Sequence, residues 1–163
     1  MTKPLPPEPG TPLPEEDYVL RYIGKKHVDN GVVNGSGFMR RPTEDTPPSV
    51  NWMEYFPPPM TNQVAEISAH RRIKYEKRGK LVRINVGHTK RYVAENARWP
   101  VAENQRAIIL AFLHDPLRAE NKWPADPSHA VIDGIPMEKT PDAELIRDLL
   151  VDCIVDQFDV VAD

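Results

Sequence analysis

The clearest alternation of apolar and polar positions lies at residues 81–86, where Val82, Ile84 and Val86 fall on one side and Arg83 and Asn85 on the other. A period of two is the mark of a half-buried strand. Residues 17–23 (DYVLRYI) alternate similarly, and residues 37–41 (GFMRR) form a short strand candidate that Pro42 ends. Residues 91–95 (RYVAE) are expected to pair with 81–86 across a turn at 87–90. Residues 107–113 (AIILAFL) are an unbroken apolar run of strand length, which predicts a central strand covered on both faces with Ile109 in the core. A further strand is expected at 129–135 (HAVIDGI).

Other segments carry helical spacing. Trp52, Tyr55 and Phe56 stand at i, i+3 and i+4, as in a short helix that anchors aromatic rings in the core. Thr61 can cap a helix over 62–77, with Val64, Ile67 and Ile73 inward and Gly79 stopping it. The best-specified helix spans residues 141–157. Thr140 is its cap, Pro141 sits in the first turn, Asp142 and Glu144 face the positive end of the dipole, and Leu145, Ile146, Leu149, Leu150, Cys153 and Ile154 form an apolar stripe.

The elements do not alternate as a doubly wound fold would. They predict an α+β fold, a small mixed or mainly antiparallel sheet with the C-terminal helix and one middle helix packed on it, the helices on one face. In that packing Ile109 and Leu149 share a core, while Arg147 and Asp148 point to solvent. Six prolines fall in the first sixteen residues. Residues 1–16 are therefore expected to be a disordered proline-rich tail and residues 17–163 a single domain.

Composition narrows the class. Apolar residues make up 40% and charged residues 28% of the chain, a globular balance. No stretch approaches the about 18–20 apolar residues that span a bilayer, and the start lacks the apolar core of a secretory signal. A cytoplasmic location and no membrane partner are expected. The only cysteine, Cys153, cannot close an intramolecular disulfide, and its apolar neighbours predict a buried, inert thiol. Net charge is −3, but residues 61–91 sum to +7 and residues 92–163 to −8.

The candidate chemistry lies in three places. His114 and Asp115 end the apolar run, and Asp126, Ser128, His129 and Asp133 arrive one loop later. Two imidazoles with carboxylates there could hold a divalent metal or do acid–base work, with His114, Asp115 and His129 as catalytic candidates and Asp126 joining them as a metal ligand. Asp-Pro pairs are also ordinary turn formers, and that reading is preferred. Lys25, Lys26, His27 and Asp29 in the glycine-rich segment 24–37 could meet a phosphate, although a mobile surface loop accounts for them as well. The basic segment 70–91, with Arg71, Arg72, Lys74, Lys77, Arg78 and Lys80, could bind nucleic acid through phosphate contacts, with Tyr75 and Tyr92 stacking on bases. A surface that meets the acidic C-terminal helix explains the same charges. There is no HExxH, no CxxC pair, no GxxxxGK[ST], no GxGxxG and no GxSxG, so no cofactor is expected beyond a metal.

The phrases SVNWMEYF (49–56), INVG (84–87) and DPSHAVIDGIP (126–136) together resemble an uncharacterised family of small bacterial proteins. The resemblance implies a bacterial origin, a single domain and an association with defence genes, and it brings no named activity or catalytic residue. The leading expectation is a non-catalytic protein-interaction or adaptor subunit. A nucleic-acid-binding module using 70–91 comes second, and a small metal-assisted hydrolase or nucleotide-modifying enzyme using 114–133 third.

Overall fold

The computed structural model describes residues 10–39, 46–99, 106–135 and 141–160. In chain order the strands are β1 (Tyr18–Ile23), β2 (Val28–Asp29), β3 (Val32–Val33), β4 (Ser49–Trp52), β5 (Lys80–Asn85), β6 (Arg98–Trp99), β7 (Arg106–Ala107), β8 (Ala111–His114), β9 (His129–Asp133) and β10 (Ile154–Asp159). The helices are α1 (Met60–Ala69), α2 (Val86–Asn96) and α3 (Pro141–Asp152). Six strands form one sheet in the order β10-β5-β1-β4-β9-β8, every neighbouring pair antiparallel. The α+β class and the antiparallel sheet with a middle and a C-terminal helix are as the sequence predicts. No helix among the described residues is long and apolar enough to cross a membrane.

The central strands β1 and β5 bury both faces. Val19, Ile23, Val82 and Ile84 enter one apolar cluster with Phe38, Phe112, Ile132, Val93 of α2, and Ile146, Leu149 and Leu150 of α3. Leu20 and Leu81 enter a second cluster with Met53, Ile67 of α1 and Tyr75, and Phe158 packs against it. The helices therefore cover both faces of the sheet, where the sequence suggested one.

Several local expectations are corrected, each for a physical reason. Residues 91–95 are not a strand: Asn85 ends β5 by capping α2, its side chain accepting from the His88 amide at 2.8 Å. Helix α1 stops at Ala69 instead of reaching residue 77, because Arg71 turns back to the Ser68 carbonyl at 2.5 Å and Tyr75 leaves the helix to stack on Tyr22. Its cap is Pro59 and not Thr61. The segment 37–41 enters no strand at its described residues, since Gly35–Phe38 is a single 3-10 turn. That turn lies against α3 so closely that a Cβ on Gly35 would sit 2.5 Å from Asp148 Oδ1. The glycine-rich segment is thus packed, with Val33, Gly35, Gly37 and Phe38 buried. Trp52 belongs to β4 and residues 53–55 form a 3-10 turn instead of an α-helix; Met53 is fully buried, and Trp52 and Phe56 pack half-buried against the two apolar clusters as expected.

The apolar run 107–113 is not a central strand. Only Ala111–His114 pairs in the sheet, as β8 at one edge, and Ile109 is 77% exposed. Gly134, at φ +103, lets the Ile109 carbonyl pass where a Cβ would stand 2.6 Å from it. Leu110, Phe112 and His114 are left pointing inward. Helix α3 ends at Asp152, short of residue 157, and the chain re-emerges as β10. Arg147, expected at the surface, is only 7% exposed.

The β8 edge is covered by residues that the sequence assigned to a loose tail. Leu13 donates its amide to the Phe112 carbonyl (2.9 Å), His114 donates to Thr11 (2.9 Å), and Leu13 is 4% exposed. Residues 10–16 are thus part of the packed chain, and the rest of the expected tail lies outside the described residues.

Candidate functional site

Strands β8 and β9 bring His114 and His129 to one end of the sheet but on opposite faces, since His114 pairs with Ala130, and Arg72 ties down the loop that links them by donating to the carbonyls of Pro124 (2.9 Å) and Arg118. His114 is fully buried and donates through Nε2 to the Pro127 carbonyl at 2.8 Å. Trp52 and Tyr55 stand 5.4 and 6.0 Å from its ring, so the aromatic residues of 49–56 wall in this histidine. Its Nδ1 is buried with no hydrogen-bond partner among the described residues.

Asp126 is also buried. Its carboxylate accepts from Asn51 Nδ2 at 2.9 Å, and the same amide reaches Ser128 Oγ at 2.9 Å. Burial raises the Asp126 pKa above the ordinary 3.8, opposed by His129, by the Asn51 hydrogen bond and by His70 and Arg72. Asp133 lies exposed at the far end of β9.

The four expected metal ligands, His114, Asp115, Asp126 and His129, do not converge. Among the described residues no group of three or more His, Cys, Asp or Glu side chains could hold a metal ion. The β8–β9 register sets His114 opposite Ala130, so His114 and His129 point to opposite faces of the sheet, His114 donating to the Pro127 carbonyl and His129 to that of Asp115.

What the loop assembles instead is a line through a residue the sequence did not single out. His129 donates from Nδ1 to the Asp115 carbonyl at 2.8 Å, with the Asp115 carboxylate 3.4 Å away, and its Nε2 meets the hydroxyl of exposed Ser49 at 3.1 Å. A serine, an imidazole oriented through its other nitrogen, and a carboxylate is the order of groups that activates a nucleophile. Ser49 is eighty residues from His129, and only the β4–β9 pairing unites them.

The basic segment 70–91 is dispersed rather than arrayed as a stripe. Arg71 lies 4.4 Å over the Tyr75 ring, and Arg72 faces the loop. Lys80 pairs with Asp159 and Arg83 with Asp156 (2.6 Å), so basic β5 is met by acidic β10. Lys90 and Arg91 reach Glu15 at 3.6 and 3.4 Å. Tyr75 is buried against Tyr22, and the Tyr92 ring stacks on His88 at 5.8 Å between centroids while its hydroxyl donates to Asp152. Lys74, Lys77 and Arg78 carry no ion pair among the described residues.

Lys77, Arg78 and Lys80 do meet a distant cation. With Lys25 they line a cleft of about 690 Å³ whose opposite wall is the Asn30–Gly31 turn of the β2–β3 hairpin. Gln157 Nε2 donates to the Gly31 carbonyl at 2.8 Å and fixes that wall to β10. Of the other residues of the first loop, His27 shares a hydrogen bond with Ser36 at 2.7 Å, and burial, helped by Lys26 and Arg21, lowers its pKa. Asp29 accepts from Asn34 at 3.3 Å. Cys153 is buried, and burial pushes its thiol pKa up, away from the thiolate a nucleophile needs.

Compared with known proteins, the chain matches no family, no curated protein and no solved structure. Its class rests on its own fold, an α+β chain built on a six-stranded antiparallel sheet whose two edges differ.

Proposed function

We propose that the protein is a non-catalytic interaction subunit that takes up an extended segment of a partner protein along β10. One observation carries this reading. The β8 edge is covered by residues 10–13, whereas β10 pairs inward with β5 and, among the described residues, makes no backbone hydrogen bond on its outer side. An open edge offers a row of main-chain donors and acceptors to an added strand. Val155 and Gln157 are exposed along it. Asp156 and Asp159 already face Arg83 and Lys80 on one side, so a strand bearing Lys or Arg opposite them would complete the charge ladder on the other. The buried cysteine suits work in the cytoplasm, and a bacterial origin belongs to the same reading.

A displayed library of random nine-residue peptides tests it. Enriched sequences should be extended and cationic, and should lose most of their binding to Val155→Lys/Gln157→Lys, since edge lysines blunt strand addition. Peptides that bind the double variant equally well, or no enrichment, would contradict the reading.

The Ser49–His129–Asp115 line favours a second reading, a hydrolase that uses Ser49 as nucleophile and His129 as base. A fluorophosphonate probe should then label Ser49 covalently, and His129→Ala should slow labelling by about 100-fold or more, the usual range for a lost general base. Labelling at the rate of an ordinary surface serine would exclude it.

A further inference from the structure

We infer that the cleft between the Asn30–Gly31 turn and residues 77–80 is a binding site for a phosphorylated small molecule, with its phosphoryl group held by Lys77 and Arg78 and flanked by Lys25 and Lys80. The inference does not depend on strand addition at β10.

The charges come from two parts of the chain more than fifty residues apart, and among the described residues the fold brings four cations to one concavity against a single lining carboxylate, Asp159. Asp159 is bonded to Lys80, and Lys25 lies 3.5 Å from Glu76, so two of the cations are partly neutralised. Lys77 and Arg78 are not paired among the described residues. Two cations with attenuated neighbours match a dianionic phosphoryl group.

The backbone beneath them is fixed. Tyr22 stacks on Tyr75 with ring centroids 4.8 Å apart, and its hydroxyl accepts the Glu76 amide at 2.8 Å. Gly79 packs under the Tyr22 ring, where a Cβ would come within 2.7 Å, and its amide closes the turn on the Glu76 carbonyl at 3.0 Å. This turn places Arg78 at φ +73, a left-handed conformation that an arginine adopts only against steric resistance and that glycine would adopt freely. Backbone held this way, at the rim of a cleft, is typical of binding sites.

The size and lining set the ligand class. About 690 Å³ lies within the range of small-molecule sites. Among the described residues the apolar lining is limited to Val28 and Val160, and no aromatic ring lines the cleft to stack on a base. A compact phosphate ester or diphosphate fits this chemistry better than a nucleic-acid strand, whose bases seek such rings.

The test is a titration of the full chain, followed by amide chemical shifts, with inorganic phosphate, pyrophosphate, glucose 6-phosphate and a single-stranded DNA 20-mer in separate arms at about 150 mM salt, where loose phosphate contacts are screened. Pyrophosphate or glucose 6-phosphate should give saturable shifts confined to the cleft lining, residues 25–31, 77–80 and 159–160, and should bind more tightly than inorganic phosphate. Lys77→Gln/Arg78→Gln should weaken binding about tenfold or more, as loss of charge-assisted contacts implies. Arg78→Gly should weaken it too, yet melt at the same temperature as the wild type or higher, because the left-handed turn is relieved. Absence of saturable shifts, unchanged affinity in the double variant, or tighter DNA binding with shifts spread along 70–91 would overturn the inference.

Discussion

Leu150→Ala is expected to lower stability by about 2–5 kcal/mol, the range for truncating a packed aliphatic side chain. Ile109→Ala should change it by less than about 0.5 kcal/mol, as at other exposed positions. By sequence pattern the two are alike, each a large aliphatic residue in an apolar segment. By position they are opposites. Leu150 is fully buried where α3 meets the sheet, in the cluster with Phe112, Ile132 and Val82, and its removal leaves a cavity that a six-stranded sheet cannot collapse to fill. Ile109 precedes the edge strand and is mostly in water. Thermal or urea melts of the two variants would check this, and similar losses would mean that the 107–113 run lies inside the molecule after all.

Leu13→Ala is expected to cost a further sizeable amount, about 2 kcal/mol or more, from the same loss of apolar burial. Deleting residues 1–15 should cost at least as much. The deletion removes Leu13 from the main core cluster, the main-chain bonds to Phe112 and His114, and Glu15, which faces Lys90 and Arg91. For a chain of this size each kcal/mol corresponds to roughly 2–4 °C in melting temperature, so the shortened protein should melt several degrees lower. It should also associate more readily, because β8 would become an exposed edge. A melting temperature unchanged by the deletion would show that residues 10–15 contribute no packing.

The strands read correctly from sequence were those whose alternation is local and whose two ends are punctuated. Residues 80–85 alternate between a lysine and an asparagine cap, and DYVLRYI is followed by glycine, so period and boundary agree. The errors arose where one pattern serves two structures. An unbroken apolar run fits a central strand, yet 107–113 spans β7, an irregular stretch and an edge strand. The stripe from Leu145 to Ile154 reads as helix to its end, although the β-branched pair Ile154-Val155 and the alternation through Phe158 mark the switch to β10. Likewise Asn85-Val86-Gly87-His88 is a cap followed by a helix, and the capping asparagine was the signal available to find it.

The candidate site was legible only in part. The sequence marked the cations of 70–91 but could not say which would be spent internally, since the partners Asp156, Asp159 and Glu15 lie 73 to 79 residues away. Lys25 and Lys77 were assigned to separate segments for the same reason. Ser49 carried no signal, because its imidazole partner is supplied by strand pairing alone. The histidines of 114–133 are sent to opposite faces by the β8–β9 register, which residue type and spacing across a loop do not reveal.

Residue-resolved amide hydrogen exchange along β8 and β10, without and with a peptide selected for binding, tests the proposed interaction most directly. Alternate amides of an open edge strand point to solvent and exchange quickly, while those of a covered edge are held. In the free protein β8 should be protected through its contacts with residues 10–13, and β10 should show fast exchange at every second residue. The peptide should then slow those fast amides and leave β8 unchanged. Uniform protection of β10 in the free protein, or peptide-induced slowing confined to another part of the sheet, would contradict the account.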